Sequence, residues 1–240
     1  MSQAMYSEQP YLKTLNTQIS AVDGEWIECQ QSIFYPLGGG QPGDSGELAG
    51  AQLWQILDTR KGEGGAIRHQ LSTADHGLVV GDEVTLRLNW PRRHRHMRMH
   101  SAMHLLCSLI PRGVTGGSVG ELKSRLDFDL GEHSVDKGEL TAQLNALIAE
   151  DRPLSWRSVD EAELDANPEL VRTLSVQPPR GVGAVRLVEI AGVDLQPCGG
   201  THVRSTGEIG ELVVNKIENK GKRNRRIHLS LVAPEESDNA

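Results

Sequence analysis

The 240-residue sequence predicts an α+β protein, with a small N-terminal β-barrel followed by an α+β domain whose antiparallel sheet is packed by helices. Short β-type segments separated by glycine turns fill most of the chain before Trp90. Helical spacing takes over at Arg92, and two alternating apolar segments close the chain as a hairpin. We therefore expect a barrel domain over residues 1–91 and an α+β domain over residues 92–240.

The barrel prediction depends on short segments rich in β-branched and aromatic residues. They cover residues 26–30, 32–35, 51–58, 67–71 and 83–89. A glycine-rich stretch over residues 38–46 has the composition of a loop. Short strands at regular spacing, joined by glycine turns, are typical of small barrels.

The second half mixes helices and strands. A helix is predicted from Arg92 to about Ile110, where Pro111 stops it. Further helices are expected at residues 137–149 and around 160–166, the first with an apolar stripe. A loop is expected to begin at Gly117 and to lead into a strand at residues 124–129. Further strands are expected at residues 184–190, 210–217 and 226–232. The acidic tail 234–240 is expected to be loose.

Bulk composition excludes several classes of protein. The chain is 38% hydrophobic and 24% charged, as folded globular proteins are, and it contains no apolar run of the roughly 20 residues that span a bilayer. Without a signal-like N-terminus, we expect a cytoplasmic protein that has no membrane contact and no obligate protein partner. The three cysteines, Cys29, Cys107 and Cys198, do not form a disulfide pattern. Cys107 is expected to be buried in the core, with a role as a rival metal ligand as the alternative.

The charge is unevenly distributed. A net charge of −7 argues against broad nucleic-acid binding. Two groups of cations stand out, the first basic cluster (residues 92–98, which includes His94 and His96) and the second basic cluster (residues 220–226). A single cluster is typical of solvated surface. Two clusters on an acidic chain, each near a chemical motif, favour an anionic ligand.

Two short motifs predict a metal site. His100 and His104 are four residues apart on the predicted helix and so share a face. Cys198 and His202 are four residues apart across a Gly-Gly turn. Zinc prefers nitrogen and sulfur ligands in tetrahedral geometry, and these four side chains supply them. The sequence therefore predicts one zinc ion bound by the two motifs together.

These motifs resemble those of a known family. The stretch over residues 99–106, combined with residues 198–203, is similar to the editing domain of alanyl-tRNA synthetases, and more so to the free-standing AlaX proteins. The glycine-rich residues 34–46 and the stretches 205–210 and 216–221 agree with it, so the resemblance covers roughly residues 25–232. Met99 departs from it, because the family often has threonine there.

The resemblance implies a zinc hydrolase that removes a wrongly attached amino acid, serine foremost and glycine as a second candidate, from tRNA(Ala). A proofreader of another charged tRNA would share every motif. A zinc-stabilised RNA-binding module without catalysis would need the same four ligands, and a metal hydrolase of small esters or amides would not need two basic clusters.

Further residues are candidates for the substrate site and for contact with tRNA. We expect Gln41 and Thr201 to be polar groups of the catalytic site, although the Thr201 hydroxyl could instead bond to its own loop. Gly38, Gly39 and Gly40 of the glycine-rich barrel motif could line the substrate pocket or simply form a turn. Arg125 and Asp127, on the strand predicted at 124–129, could contact substrate or form a cross-strand ion pair. The cations expected to contact tRNA phosphates are Lys220, Lys222, Arg223, Arg225 and Arg226.

Overall fold

The computed structural model describes residues 2–131, 133–171 and 184–232, without the side chain of Glu169. The helices are α1 (Met5–Glu8), α2 (Trp90–Leu109), α3 (Lys137–Ala149) and α4 (Glu161–Ala166), and 3-10 turns lie at Glu63–Gly65, Pro168–Leu170 and Thr206–Ile209. The strands are β1 (Gln3–Ala4), β2 (Thr14–Asp23), β3 (Trp26–Cys29), β4 (Gln31–Ser32), β5 (Gly46–Ala49), β6 (Leu53–Lys61), β7 (Ile67–Leu71), β8 (Glu83–Leu88), β9 (Val114–Ser118), β10 (Lys123–Asp129), β11 (Leu154–Asp160), β12 (Ala184–Ile190), β13 (Asp194–Pro197), β14 (Leu212–Asn219) and β15 (Asn224–Leu231).

The chain separates into two compact units. One comprises Met1–Met97 together with Gly199–His202, and the other comprises Arg98–Cys198 and Val203–Ala240. The domain boundary expected after residue 91 stays a prediction. Among the described residues, no helix combines the length and the apolar character needed to cross a bilayer.

The first unit is built on a closed barrel of antiparallel strands in the order β2-β3-β7-β6-β5-β8. Side chains alternate between inside and outside along each strand, so that Ile27, Leu48, Ile56 and Leu86 fill the interior. Burial of these aliphatic side chains provides the main stabilising free energy of the barrel. The α+β class and the N-terminal barrel are confirmed.

The second unit contains two antiparallel sheets, one in the order β14-β15-β10-β9 and the other in the order β11-β12-β13. Helix α3 begins at the Asp136 cap, whose carboxylate accepts from the Glu139 N–H at 2.8 Å. The α3 residue Asn145 bonds to both the N–H and the C=O of Leu212, which fastens the helix to β14. Helices therefore pack on antiparallel sheets, as predicted.

Helix α2 carries the first metal motif, and local interactions determine where it starts. The Asn89 side chain accepts from the Arg92 N–H at 3.3 Å, and Pro91 lies in the first turn, where its missing N–H has no cost. The helix therefore begins at Trp90, two residues before the predicted start. It ends at Leu109, in agreement with the stop expected at Pro111.

Several sequence predictions of single elements are exact and others are wrong. The segments at 67–71, 137–149 and 184–190 match β7, α3 and β12. The strand predicted at 32–35 is wrong beyond Ser32, because the N–H groups of Phe34 and Tyr35 bond to the side chains of Ser32 and Asp44 instead of to a neighbouring strand. Strands β1, β2, β5, β9, β11 and β13 were not individually predicted, and the tail 234–240 lies outside the described residues.

Candidate metal centre

The two helical histidines of the predicted metal site lie together on α2. The ring centroids of His100 and His104 are 5.6 Å apart, and both side chains are buried. The distance follows from the helix geometry, because residues four apart are stacked on one face. This arrangement lets both imidazoles bind one cation.

Cys198 joins this pair through the β12–β13 hairpin. Its N–H donates to the carbonyl of Arg186 at 3.0 Å, and Nη1 of Arg186 donates back to the carbonyl of Cys198 at 3.0 Å. These two bonds fix the backbone of Cys198 just beyond the end of β13. Its Sγ lies 3.5 Å from Nε2 of His100.

The predicted ligand set fits a metal ion. The ligand atoms of His100, His104, Cys198 and His202 all lie within 4.8 Å of one another. A tetrahedral zinc ion with its usual bond lengths separates its ligand atoms by about 3.3 to 3.7 Å, close to the distance between His100 and Cys198. Three imidazoles and one thiol are also the donor types that zinc prefers. These four side chains could therefore hold one metal ion.

Sequence reasoning missed two polar residues beside His104. Oδ2 of Asp194 lies 3.0 Å from Nδ1 of His104, and Nε2 of Gln196 donates to the same oxygen at 2.8 Å. Burial alone lowers the pKa of His104, but hydrogen bonds to Asp194 and Cys198 outweigh it and raise the pKa to about 9. The alternation of Asp194, Gln196 and Cys198 in the sequence was the signal that could have revealed them.

Gln41 and Thr201, predicted as polar site residues, contact each other across 160 positions of sequence. Nε2 of Gln41 donates to Oγ1 of Thr201 at 2.9 Å, and Oε1 accepts from the Thr201 N–H at 3.2 Å. Both side chains are 0% exposed. The pair fastens the turn that directly precedes His202, so the Thr201 hydroxyl is not bonded back to its own loop as the alternative supposed.

The glycines of the barrel motif form a tight turn. The N–H of Gly38 donates to the carbonyl of Gln41 at 3.1 Å, and the N–H of Gln41 donates to the carbonyl of Gly38 at 2.9 Å. Gly39 and Gly40 have φ values of +55° and +80°, a backbone region that favours glycine. The expected turn is therefore present, and contact of these glycines with substrate stays a prediction.

Comparisons with known proteins identify the family. A family model described as "Threonyl and Alanyl tRNA synthetase second additional domain" matches residues 185–228. Alanyl-tRNA editing protein AlaX-M of Methanosarcina mazei is 36% identical over 97% of both chains. The chain belongs to the AlaX-M family. The AlaX-M protein of Saccharolobus solfataricus is 31% identical over 96% of this chain and 99% of its own length.

An alanine–tRNA ligase also resembles this AlaX-M family member. The enzyme of Pyrococcus abyssi is 31% identical over 90% of the chain, a match that covers 24% of the ligase. The metal-ligand candidates thus occur in a chain related over nearly its whole length to editing proteins and to part of a synthetase. The resemblance in the sequence is confirmed at the level of the family.

Arg125 and Asp127 form an ion pair on β10. Nη1 of Arg125 lies 2.9 Å from Oδ2 of Asp127, and Arg226 of β15 binds both oxygens of that carboxylate at 2.8 Å. The hydrogen bond from Arg226 is the main cause that lowers the pKa of Asp127. The cross-strand ion pair is therefore observed for Asp127, with Arg226 as its partner, whereas Arg125 pairs within its own strand. Contact of either residue with substrate stays a prediction.

The second basic cluster lies mostly on the turn between β14 and β15. Lys220 pairs with Glu218 at 3.1 Å, Arg223 pairs with Asp129 at 3.0 Å, and Arg225 donates to carbonyls of the turn. Within the described part of the chain, exposed Lys222 has no hydrogen bond or ion-pair partner. Contact of this cluster with tRNA stays a prediction.

The first basic cluster is mainly structural. Arg93 is 0% exposed and pairs with buried Asp44, and it donates to the carbonyls of Pro10 and Ile33 at 3.2 and 2.8 Å. Arg92 donates to the carbonyl of Gly43 at 2.7 Å. The ring of His94 stacks on Trp90, and His96 is buried. Residues 92–98 therefore do not form the solvated surface that is typical of a single basic cluster.

Cys29, Cys107 and Cys198 are not joined by disulfide bonds, in agreement with the absence of a disulfide pattern. Cys107 and Cys29 are buried, and Cys107 lies in the core as predicted. Burial raises the pKa of Cys29 to about 12, which keeps that thiol protonated. Cys198 is therefore the cysteine placed to bind a metal.

Proposed function

We propose that this chain hydrolyses the ester bond between a wrongly attached amino acid, serine foremost, and tRNA(Ala), with zinc at the four-ligand cluster. The proposal is supported by one combination of observations. A buried group of three histidines and one cysteine that could hold a metal occurs in a chain 36% identical, over nearly its full length, to an alanyl-tRNA editing protein.

The choice of serine as the amino acid removed follows from the limited power of a binding pocket to select amino acids by size. A pocket shaped for alanine cannot strongly reject serine, which adds only a hydroxyl group, so a second enzyme must remove the error. An editing site reverses the preference when its polar groups bind the hydroxyl, because those groups stay unpaired when alanine is bound. Seryl-tRNA(Ala) is therefore the preferred substrate, and glycyl-tRNA(Ala) is a second one because glycine is smaller.

His100, His104 and Cys198 would hold the zinc ion, with His202 as the fourth candidate. When bound, zinc supplies Lewis-acid chemistry that polarises an ester carbonyl or lowers the pKa of a water. Four protein ligands complete a tetrahedron, whereas three leave one position for water. The role of His202 therefore decides whether the site is closed or open.

Gln41 and Thr201 act as positioning residues in this proposal. Both are buried and bonded to each other, so their effect on substrate passes through the turn that they hold before His202. Replacement of Gln41 by alanine removes both bonds. It is expected to lower kcat on the seryl substrate while the protein retains its zinc.

The partner is tRNA, held in part by the second basic cluster. This cluster contains five cations within seven residues of an acidic protein. Lys and Arg contacts to phosphate release counterions, so tRNA binding is expected to weaken as salt rises.

The deciding experiment is a deacylation panel. The full chain is given tRNA(Ala) charged with serine, glycine or alanine, and tRNA(Thr) charged with threonine or serine. The expected ratio of kcat/KM for seryl- over alanyl-tRNA(Ala) is on the order of 10⁴. A ratio near one overturns the serine assignment, and preference for the tRNA(Thr) substrates identifies a proofreader of that tRNA.

Two cysteine variants test the metal. Cys198→Ala is expected to lose zinc and deacylation together, whereas Cys107→Ala, the matched control, is expected to keep both. Zinc content is measured by elemental analysis of the purified proteins. Full zinc retention in Cys198→Ala removes that residue from the ligand set. Binding of charged tRNA without any loss of ester in the wild-type chain identifies a non-catalytic zinc-stabilised module.

A further inference from the structure

Asp194, Gln196 and Cys198 share one face of β13 and its extension. Side chains two residues apart point to the same side of a strand, and in β13 the buried positions are Asp194 and Gln196. Pairing of β13 with β12 fixes this face, with Ile190 opposite Asp194 and Val188 opposite Gln196. One strand thus delivers a metal-ligand candidate and two buried polar groups that are not ligands.

The hydrogen bonds of Asp194 determine the tautomer of His104. Oδ2 of Asp194 lies 3.0 Å from Nδ1 of His104. An ionised carboxylate can only accept, so Nδ1 must carry the proton in this bond. Nε2 then holds the lone pair of the neutral ring and is the atom available to a metal.

Gln196 holds the carboxylate in place. Its Nε2 donates to Oδ2 of Asp194 at 2.8 Å, and its side chain is buried beside that of His104, with Nε2 3.1 Å from Nδ1. A buried carboxylate without such donors would be strongly destabilised. The amide therefore restricts Asp194 to the position in which it accepts from His104.

We propose that Asp194 is a positioning residue which fixes Nε2 of His104 as the metal-binding atom, with Gln196 as the residue that orients the carboxylate. The proposal rests on the zinc site of the proposed function. A carboxylate behind a ligating imidazole orients the ring and makes it a stronger base, so its loss weakens metal binding. Asp194 itself touches neither metal nor substrate.

Zinc affinity of the full chain, measured by competition with a chelator, tests the proposal without any tRNA. Asp194→Ala is expected to weaken zinc binding about 10- to 100-fold. Asp194→Asn keeps an acceptor oxygen but loses the charge, so a smaller loss is expected, and Gln196→Met is expected to cause the smallest. Glu189→Gln removes an exposed carboxylate from the neighbouring strand and is expected to leave zinc affinity unchanged.

The proton on His104 distinguishes positioning from general stability. In zinc-loaded, ¹⁵N-labelled wild-type protein, NMR is expected to show a proton on Nδ1 of His104 that exchanges slowly with solvent. The same proton is expected to exchange quickly in Asp194→Asn. If Asp194→Ala does not fold, as judged by circular dichroism, Asp194→Asn and Gln196→Met provide the affinity test.

The proposal is overturned if both Asp194→Asn and Gln196→Met bind zinc as tightly as the wild type, or if the proton lies on Nε2. It is also overturned if the wild-type chain binds no zinc. A chain that binds zinc through His104 in this way but leaves every charged tRNA intact would refute the proposed function and support the positioning role.

Discussion

The two basic clusters have similar compositions in the sequence but use their charges differently. In the first, three arginines donate to backbone carbonyls: Arg92 to that of Gly43, Arg93 to those of Pro10 and Ile33, and Arg98 to that of Ile209. Arg93 is fully buried. In the second, the cations are exposed or half-buried, and most pair with carboxylates of the same sheet. One set stabilises loops, and the other set presents positive charge to solvent.

The difference comes from the elements that carry the residues. Residues 92–98 lie on a helix, where the side chains of seven consecutive residues point to every side. Some of these cationic side chains therefore face the interior of the protein. The turn residues between β14 and β15 protrude from a sheet, so their side chains reach water. A run of cations therefore indicates a ligand surface more reliably at a hairpin turn than on a helix.

The largest effect that separates the clusters is expected from Arg93→Met. The substitution leaves the Asp44 carboxylate buried without its charge partner, so the free energy of unfolding should fall by about 3 to 5 kcal/mol. Urea denaturation measures it, with Arg225→Gln as the control from the second cluster. A loss below about 1 kcal/mol would mean that the first cluster is no more structural than an exposed one.

The next effect concerns tRNA binding. Replacement of Lys222, Arg223 and Arg225 by glutamine should weaken tRNA binding and reduce the slope of log Kd against log salt by about 2. Zinc content and thermal stability should stay near those of the wild type. Equal slopes for the variant and the wild type would make the second cluster ordinary solvated surface.

A smaller effect is expected from Asp127→Asn. This substitution removes the carboxylate that holds Arg226, in an ion pair partly open to water, so Tm should fall by less than about 3 °C. The released Arg226 should leave tRNA affinity unchanged or higher. A loss of stability as large as the one expected for Arg93→Met would erase the distinction between the two clusters.

The smallest expected effect is a change in the pKa of Glu218. Hydrogen bonds from Lys216, Lys220 and His228 lower the pKa of Glu218 to about 2. Lys220→Gln should raise it towards the ordinary range of a glutamate, as followed by carboxyl NMR during acid titration. Because the folded pKa lies below the unfolded one, the stabilisation by Glu218 is present above about pH 4.5 and is lost as the pH falls towards 2. An unchanged pKa would show that Lys220 does not pair with Glu218 in solution.

The sequence predicted elements with strong periodicity and motifs with unusual residue types. Helix α3 and the four metal-ligand candidates fall into this group, because apolar spacing and His or Cys residues are visible locally. Strand β11, with its exposed Ser155 and Arg157, lacks clear alternation, so it could not be recognised. The bond between Gln41 and Thr201 joins residues 160 positions apart, and no local pattern encodes such a contact.

The division of the first unit has a consequence for synthesis on the ribosome. Its main segment ends at Met97, but Gly199–His202 also belongs to it, so 101 residues are made in between. At typical translation rates this takes about 5 to 20 s. During that time the barrel can fold while the Gln41 amide has no Thr201 to bond. A nascent chain therefore exposes the Gln41 side chain without its partner for seconds, and a truncated product that ends before Gly199 lacks both groups of Thr201 to which that side chain bonds.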